Sequence, residues 1–162
     1  MTRRSLSLAL VLTAVIVASA TAKNAKSNLK KVKDDKYKPG QVWSYKTRPG
    51  EETSTITILR VEEAPQRKRI VHIHVDGIKL KNCRGGNAPE TVEHMPFDKV
   101  FIDASVTEMV RKGPVPGYSD GYFEWRQGWD AGKAGFYTIT VSQAIDVMQY
   151  QFSKGIGCPT NS

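Results

Sequence analysis

The chain is poor in the residues on which recognisable chemistry is usually built. It has two cysteines and three histidines in 162 residues, too few for a disulfide-dense scaffold or a multi-cysteine metal cluster. No G-x-S-x-G, H-E-x-x-H, phosphate-binding glycine loop or dinucleotide fingerprint occurs, so no enzyme class is marked by local spacing. Only one long stretch is free of charge, and beyond it no run is apolar enough to read as a membrane span.

That stretch lies at the start. Arg3 and Arg4 precede Ser5 to Val17, which is uncharged and mostly apolar, and two small-residue patterns follow at Ala18-Ser19-Ala20 and Ala20-Thr21-Ala22. Positive charge, short apolar run and A-x-A are the layout of a secretory signal peptide. The run is also shorter than the ~20 residues of a spanning helix; an uncleaved anchor is the competing reading. Residues 1–22 are thus assigned to a signal peptide, and the mature chain is expected to be periplasmic or secreted, with no transmembrane segment.

The charge is unevenly spread. The chain carries 24 Lys+Arg against 16 Asp+Glu, yet residues 23–38 alone hold seven lysines and two aspartates, and residues 39–162 are nearly neutral. A nucleic-acid domain would carry its basic face on the folded body, so no specific nucleic-acid partner is expected. Residues 23–38 read as a Lys-rich flexible tail, because so few large apolar residues cannot order a segment. Its lysines would be attracted weakly to an anionic surface, by about 1 kcal/mol each. Residues 39–162 form one domain, long enough to bury its own core.

Two cysteines in an exported chain favour one disulfide, Cys83 to Cys158. Two free buried thiols or an intermolecular bridge are the alternatives. Neither cysteine has a C-x-x-C or an activating Cys-His arrangement, so a catalytic thiol is not supported.

Gln41 to Arg48, Thr53 to Val61 and Arg69 to Val75 alternate like strands, with Val71, Ile73 and Val75 opposing Ile70, His72 and His74. Asp76-Gly77 signals a hairpin into a short strand at Ile78 to Lys81. Asn87 to Pro96 reads as loop. Asp98 would cap a helix running through Arg111, with Ile102, Val106, Met109 and Val110 facing inward. A second helix spans Ser119 to about Ala131 with Tyr122, Trp125 and Trp129 in register. Phe136 to Ile139 could be one more short strand. Thr140 and Gln143 form a capping box for a last helix ended by Gly155. Strands first and helices afterwards indicate an α+β domain: an antiparallel meander of three to five strands, then about three helices packed on one face.

The segment Lys38-Pro39-Gly40-Gln41-Val42-Trp43-Ser44-Tyr45-Lys46-Thr47-Arg48-Pro49-Gly50-Glu51-Glu52 resembles the opening of a family of small bacterial proteins of unknown function. His94-Met95-Pro96-Phe97, Trp125-Arg126 and Asp130-Ala131-Gly132-Lys133-Ala134-Gly135 are similar too. The likeness spans about residues 38–153, with the leader, the lysine-rich stretch and the cysteines as departures. It implies a domain boundary and no activity.

Three features are candidates for function. His72 and His74 alternate onto one strand face about 7 Å apart, so with His94 they could ligate a divalent metal, with Asp76 or Glu93 as further donors; the alternative is an ordinary polar strand face. Glu51-Glu52 and Glu62-Glu63 read as solvated loop charge, since adjacent side chains point apart and do not flank one bond. Tyr122, Trp125, Arg126 and Trp129 are either core residues at helical spacing or, if exposed, a binding patch of the types that dominate interfaces. The balance favours a non-enzymatic binding or inhibitor-like module acting on a protein or envelope component, without a cofactor. A metal-dependent hydrolase using His72, His74 and His94 is the alternative.

Overall fold

The computed structural model describes residues 28–158. The assigned signal peptide, residues 23–27 of the lysine-rich stretch and residues 159–162 lie outside the described residues.

The β-branched runs of the first half assemble an antiparallel sheet, as their alternation predicts. Its strands are β1 (Lys30–Lys31), β2 (Gln41–Tyr45), β3 (Thr55–Glu63), β4 (Arg69–Asp76), β5 (Thr91–Asp98) and β6 (Val106–Lys112), interleaved with α1 (Lys99–Ser105), α2 (Ser119–Asp130) and α3 (Val141–Gly155). The spatial order is β5-β4-β3-β2-β6. On the same edge of β3, β2 pairs with Thr55–Thr57 and β1 with the far end, Lys30 opposite Glu63 and Lys31 opposite Glu62. The α+β class is therefore as expected, with six strands rather than three to five.

Cross-strand partners share a sheet face, and this fixes the two layers. Ile56, Ile58 and Val61 of β3 stand opposite Val75, Ile73 and Val71 of β4. They form the main core with Ile102 of α1 and Val141, Ala144 and Ile145 of α3. The other face of the same strands carries Thr57, Arg60 and Glu62 opposite His74, His72 and Ile70. Two helices thus share one face as anticipated, but α2 lies on the opposite one. Its Trp125 and Trp129 pack on Ile70, Ala64 and Leu29. A one-residue irregularity between Ile58 and Arg60 makes this possible: Leu59 is the extra residue, and it switches the inward parity of β3.

Five other expectations are corrected. Residues 28–38 belong to the domain instead of trailing from it. Leu29 and Tyr37 are buried, β1 pairs with β3, and the Tyr37 hydroxyl donates to Asp103 Oδ1 at 2.7 Å. Lysine density concealed two apolar anchors there. Residues 91–96, read as the end of a loop, instead form most of β5; Pro96 sits in this edge strand, where a missing N–H costs no interior ladder bond. The helix capped by Asp98, whose side chain does accept from the Val100 N–H, ends at Ser105. The chain from Val106 is strand, because β2 offers an unpaired edge that a β-branched segment fills. Met109 and Val110 are consequently exposed instead of facing inward. Ile78 to Lys81 forms no strand, and the Phe136 to Ile139 stretch contributes a single bridge, Tyr137 with Phe97.

Gly40 shows how tightly β2 enters the sheet. Its φ is +84°, and a Cβ there would stand 2.4 Å from the Gly113 carbonyl oxygen, so no side chain fits. The capping box of α3 is formed as expected. No helix among the described residues is long and apolar enough to cross a membrane.

Cys83 and Cys158 are disulfide-bonded, with Cα atoms 5.8 Å apart across a sequence separation of 75. The bond ties the β4–β5 connection to the residues just after α3. Loop-closure entropy for that separation corresponds to about 4 kcal/mol. Replacing both cysteines by serine is therefore expected to lower the unfolding free energy by up to about 4 kcal/mol. Urea denaturation of the oxidised and variant proteins measures the difference.

Candidate functional site

The polar face of the sheet and the inner side of α2 meet in a buried network. Glu62 of β3 and His72 of β4 are buried at 1% and 0% exposure. An isolated buried carboxylate is costly, and four groups converge on this one. Arg60 Nη2 donates to Glu62 Oε1 at 2.8 Å. The Tyr122 hydroxyl donates to Oε1 and Oε2 at 3.0 and 3.2 Å. Arg126 Nη1 lies 3.5 Å from Oε1, and His72 Nε2 lies 3.1 Å from Oε2 without the alignment of a full hydrogen bond. Arg126 also donates to the Tyr122 oxygen at 2.9 Å and pairs with Asp130, while Arg60 stacks 4.2 Å from the Tyr122 ring centre. Two guanidiniums face two carboxylates, so the cluster is balanced with both histidines neutral.

On its other side, His72 Nδ1 meets His94 Nε2 at 2.8 Å. The order of protons follows from the carboxylate. Glu62 can only accept, so His72 carries its proton on Nε2; a neutral His72 then accepts at Nδ1, and His94 donates from Nε2. The remaining His94 nitrogen, Nδ1, is a bare acceptor. Burial opposes the charge of Glu62, but His72, Arg60 and Tyr122 outweigh it, and the carboxyl ionises below its usual range. Burial likewise pushes the His72 imidazole down. Burial, and then the neighbouring His72, hold His94 at about 4.

Aromatic rings enclose the pair. His72 has Trp125 at 4.8 Å and Tyr122 at 5.5 Å between ring centres, both edge-on, and His94 stacks 6.4 Å from Tyr118. Gly121 lets the helix come this close, since a Cβ there would lie 3.1 Å from the His94 Cβ.

Of the expected binding residues, Tyr122, Trp125, Arg126 and Trp129 all turn toward the sheet and are half-buried. Trp125 Nε1 donates to the Gly135 carbonyl and Trp129 Nε1 to Asn28 Oδ1. The exposed large apolar residue of α2 is Phe123. Of the expected metal ligands, His72 and His94 meet, but His74 forms no ring contact or hydrogen bond with them. Two nitrogens on one zinc stand about 3.4 Å apart, whereas these share a proton at 2.8 Å. Among the described residues no three His, Cys, Asp or Glu are arranged to hold a metal ion.

Glu51 and Glu62, expected to be solvated, are both buried. Glu51 pairs with Arg48 and accepts from the Lys79 backbone N–H. Glu62 is the residue that sequence reasoning missed; its i, i+2 spacing from Arg60 in an apolar strand was the available signal.

Grooves flank α2 on both sides. One, of about 910 Å³, is lined by Leu59, Val115, Tyr118, Tyr122 and Phe123, with Lys31, Arg60, Ser119 and Asp120 at its polar positions. The other, of about 690 Å³, is lined by His94, Glu124, Trp125, Ala134, Phe136 and Tyr137. No protein-family model matches the chain, and no curated protein or solved structure is significantly similar to it.

Both imidazoles bind their proton less readily in the fold than in the free chain, so protons favour the unfolded state as the pH falls. Stability is expected to be full above about 6.5 and to decline toward about 4, with Glu62 adding to the loss as the pH falls further. Urea unfolding at a series of pH values should show this slope, and H72Q/H94Q should flatten it. A wild-type profile with no slope in that window would contradict a neutral pair.

Proposed function

We propose that the protein is an exported, non-enzymatic binding module that takes a protein partner along the apolar flank of α2. The observation that carries this is the groove beside Tyr118 and Phe123. Phe123 is 63% exposed and Val115 41%, next to a wall supplied by Leu59 and Tyr122. Exposed aromatic and aliphatic groups at a concave site are the usual anchors of a recognition surface. Because Tyr122 is fastened to Glu62 and Arg126, the wall is rigid before a partner arrives, which reduces the ordering cost of binding.

An inhibitor-like role in the periplasm or outside the cell fits the same surface, and the disulfide supports an oxidising compartment. Lys30, Lys31, Lys33, Lys36 and Lys38 are exposed and would add loose attraction to anionic envelope polymers. A metal-dependent hydrolase is the weaker reading, because the two histidines that meet are occupied with each other and with Glu62.

The test is affinity capture from an envelope fraction with a photo-crosslinker placed in the Val115–Phe123 groove. Wild type should recover a specific protein, and Phe123→Glu should reduce its recovery by about tenfold or more, the loss typical of an anchor residue, without altering the fold. Recovery of no specific partner, or equal recovery by F123E, would overturn the proposal.

A further inference from the structure

The second groove has a different chemistry from the apolar one. Its side-chain polar groups are the Glu124 carboxylate and the His94 imidazole, with the Tyr137 hydroxyl able to act either way. Glu124 is exposed and can only accept. The Glu62 carboxylate beside His72 Nε2 assigns His94 Nε2 as the donor to His72 Nδ1, and with that assignment His94 Nδ1 carries no proton and can only accept as well. No lysine or arginine lines the groove. Its apolar walls are Trp125, Phe136 and Tyr137, and Gly121, Gly128 and Gly135 leave its backbone uncovered.

Acceptors without a matching cation, set among aromatic faces, select for positive charge. An ammonium or guanidinium would donate to the lone pair and the carboxylate while its charge lies against the rings. An anion would meet the Glu124 charge, and the Trp125 indole N–H is already given to the Gly135 carbonyl. The walls already tolerate a cation: Lys68 Nζ lies 5.9 Å from the Phe136 ring centre, held by Asp98 at 3.5 Å.

We infer that the groove between α2 and β5 is a binding site for an organic cation, a primary ammonium or guanidinium carried on a slender apolar stem. The buried Glu62–His72 pair supports the site by keeping His94 in the accepting tautomer. This site is separate from the apolar flank and does not depend on a protein partner being bound there.

Backbone and indole N–H resonances of the full mature chain, titrated at pH 7, provide the test. Butylamine should produce saturable shifts at Gly121, Gly128, Gly135 and the Trp125 indole. It should bind at least about fivefold more tightly than butanol, which has the same stem without the charge. Glu124→Gln, an exposed change that leaves the fold intact, should weaken butylamine by about threefold and leave butanol unaltered. Nα-acetyl-lysine methylamide and 1,4-diaminobutane then separate a basic side chain of a polypeptide from a free diamine; tighter binding by either upholds the cation site. Equal binding of butylamine and butanol, shifts lying elsewhere, or an unchanged amine affinity in E124Q would overturn it. None of these outcomes bears on capture through Phe123, so the two proposals fail separately.

Discussion

The charge of Glu62 is the constraint around which one side of the molecule is organised. A carboxylate held at 1% exposure needs several partners to remain ionised. Its partners come from three elements: Arg60 from the same strand, His72 from the next, and Tyr122 and Arg126 from a helix sixty residues away in sequence. The position of α2 is therefore set by directional polar contacts together with Trp125 and Trp129 on Ile70, Ala64 and Leu29, whereas α1 and α3 sit on the other face mainly through apolar packing. The sheet has two layers with two different kinds of adhesion.

This division explains the character of α2. It has no residue buried to the degree of the sheet's core, yet it carries most of the ring contacts in the structure. Its aromatic groups act as polar-tipped wedges. The indole and phenol bodies cover Ile70 and the imidazoles, while their N–H and O–H groups reach Gly135, Asn28 and Glu62. Such a helix leaves grooves along its flanks because it touches the sheet along a narrow line. The two grooves inherit opposite tempers, one apolar with Phe123 at its rim and one acceptor-lined beside His94.

Much of the architecture was legible from residue order. The β3 and β4 runs, the Asp98 cap, the Thr140–Gln143 box and the Tyr122/Trp125/Trp129 stripe are local signals, and each has its structural counterpart. What was illegible depended on distant partners. Val106–Lys112 has helical spacing of apolar residues, but the open edge of β2 recruits it as a strand. Thr91–Asp98 contains a proline and two charges, and pairs because β4 would otherwise end the sheet. Lys30 and Lys31 looked like solvated charge, and became strand through the burial of Leu29 and Tyr37. The site suffered most. Glu62 sits beside Glu63 near a turn and resembles surface charge until the shift at Leu59 is known; His94 lay in a segment that read as loop.

That shift has an evolutionary edge. Within β3 the residues before Leu59 and those after it obey opposite parities, so the strand is spliced from two half-patterns. Excising that single leucine would restore an uninterrupted ladder and would look, on paper, like a repair. It would leave Arg60 opposite His72, Val61 opposite Val71 and Glu62 opposite Ile70, so both faces would keep their residues and only the Leu59 side chain, which lines the groove beside α2, would be lost. Leu59 is thus the spare residue of the strand, the one position where a single-residue deletion leaves the pairing of both halves intact.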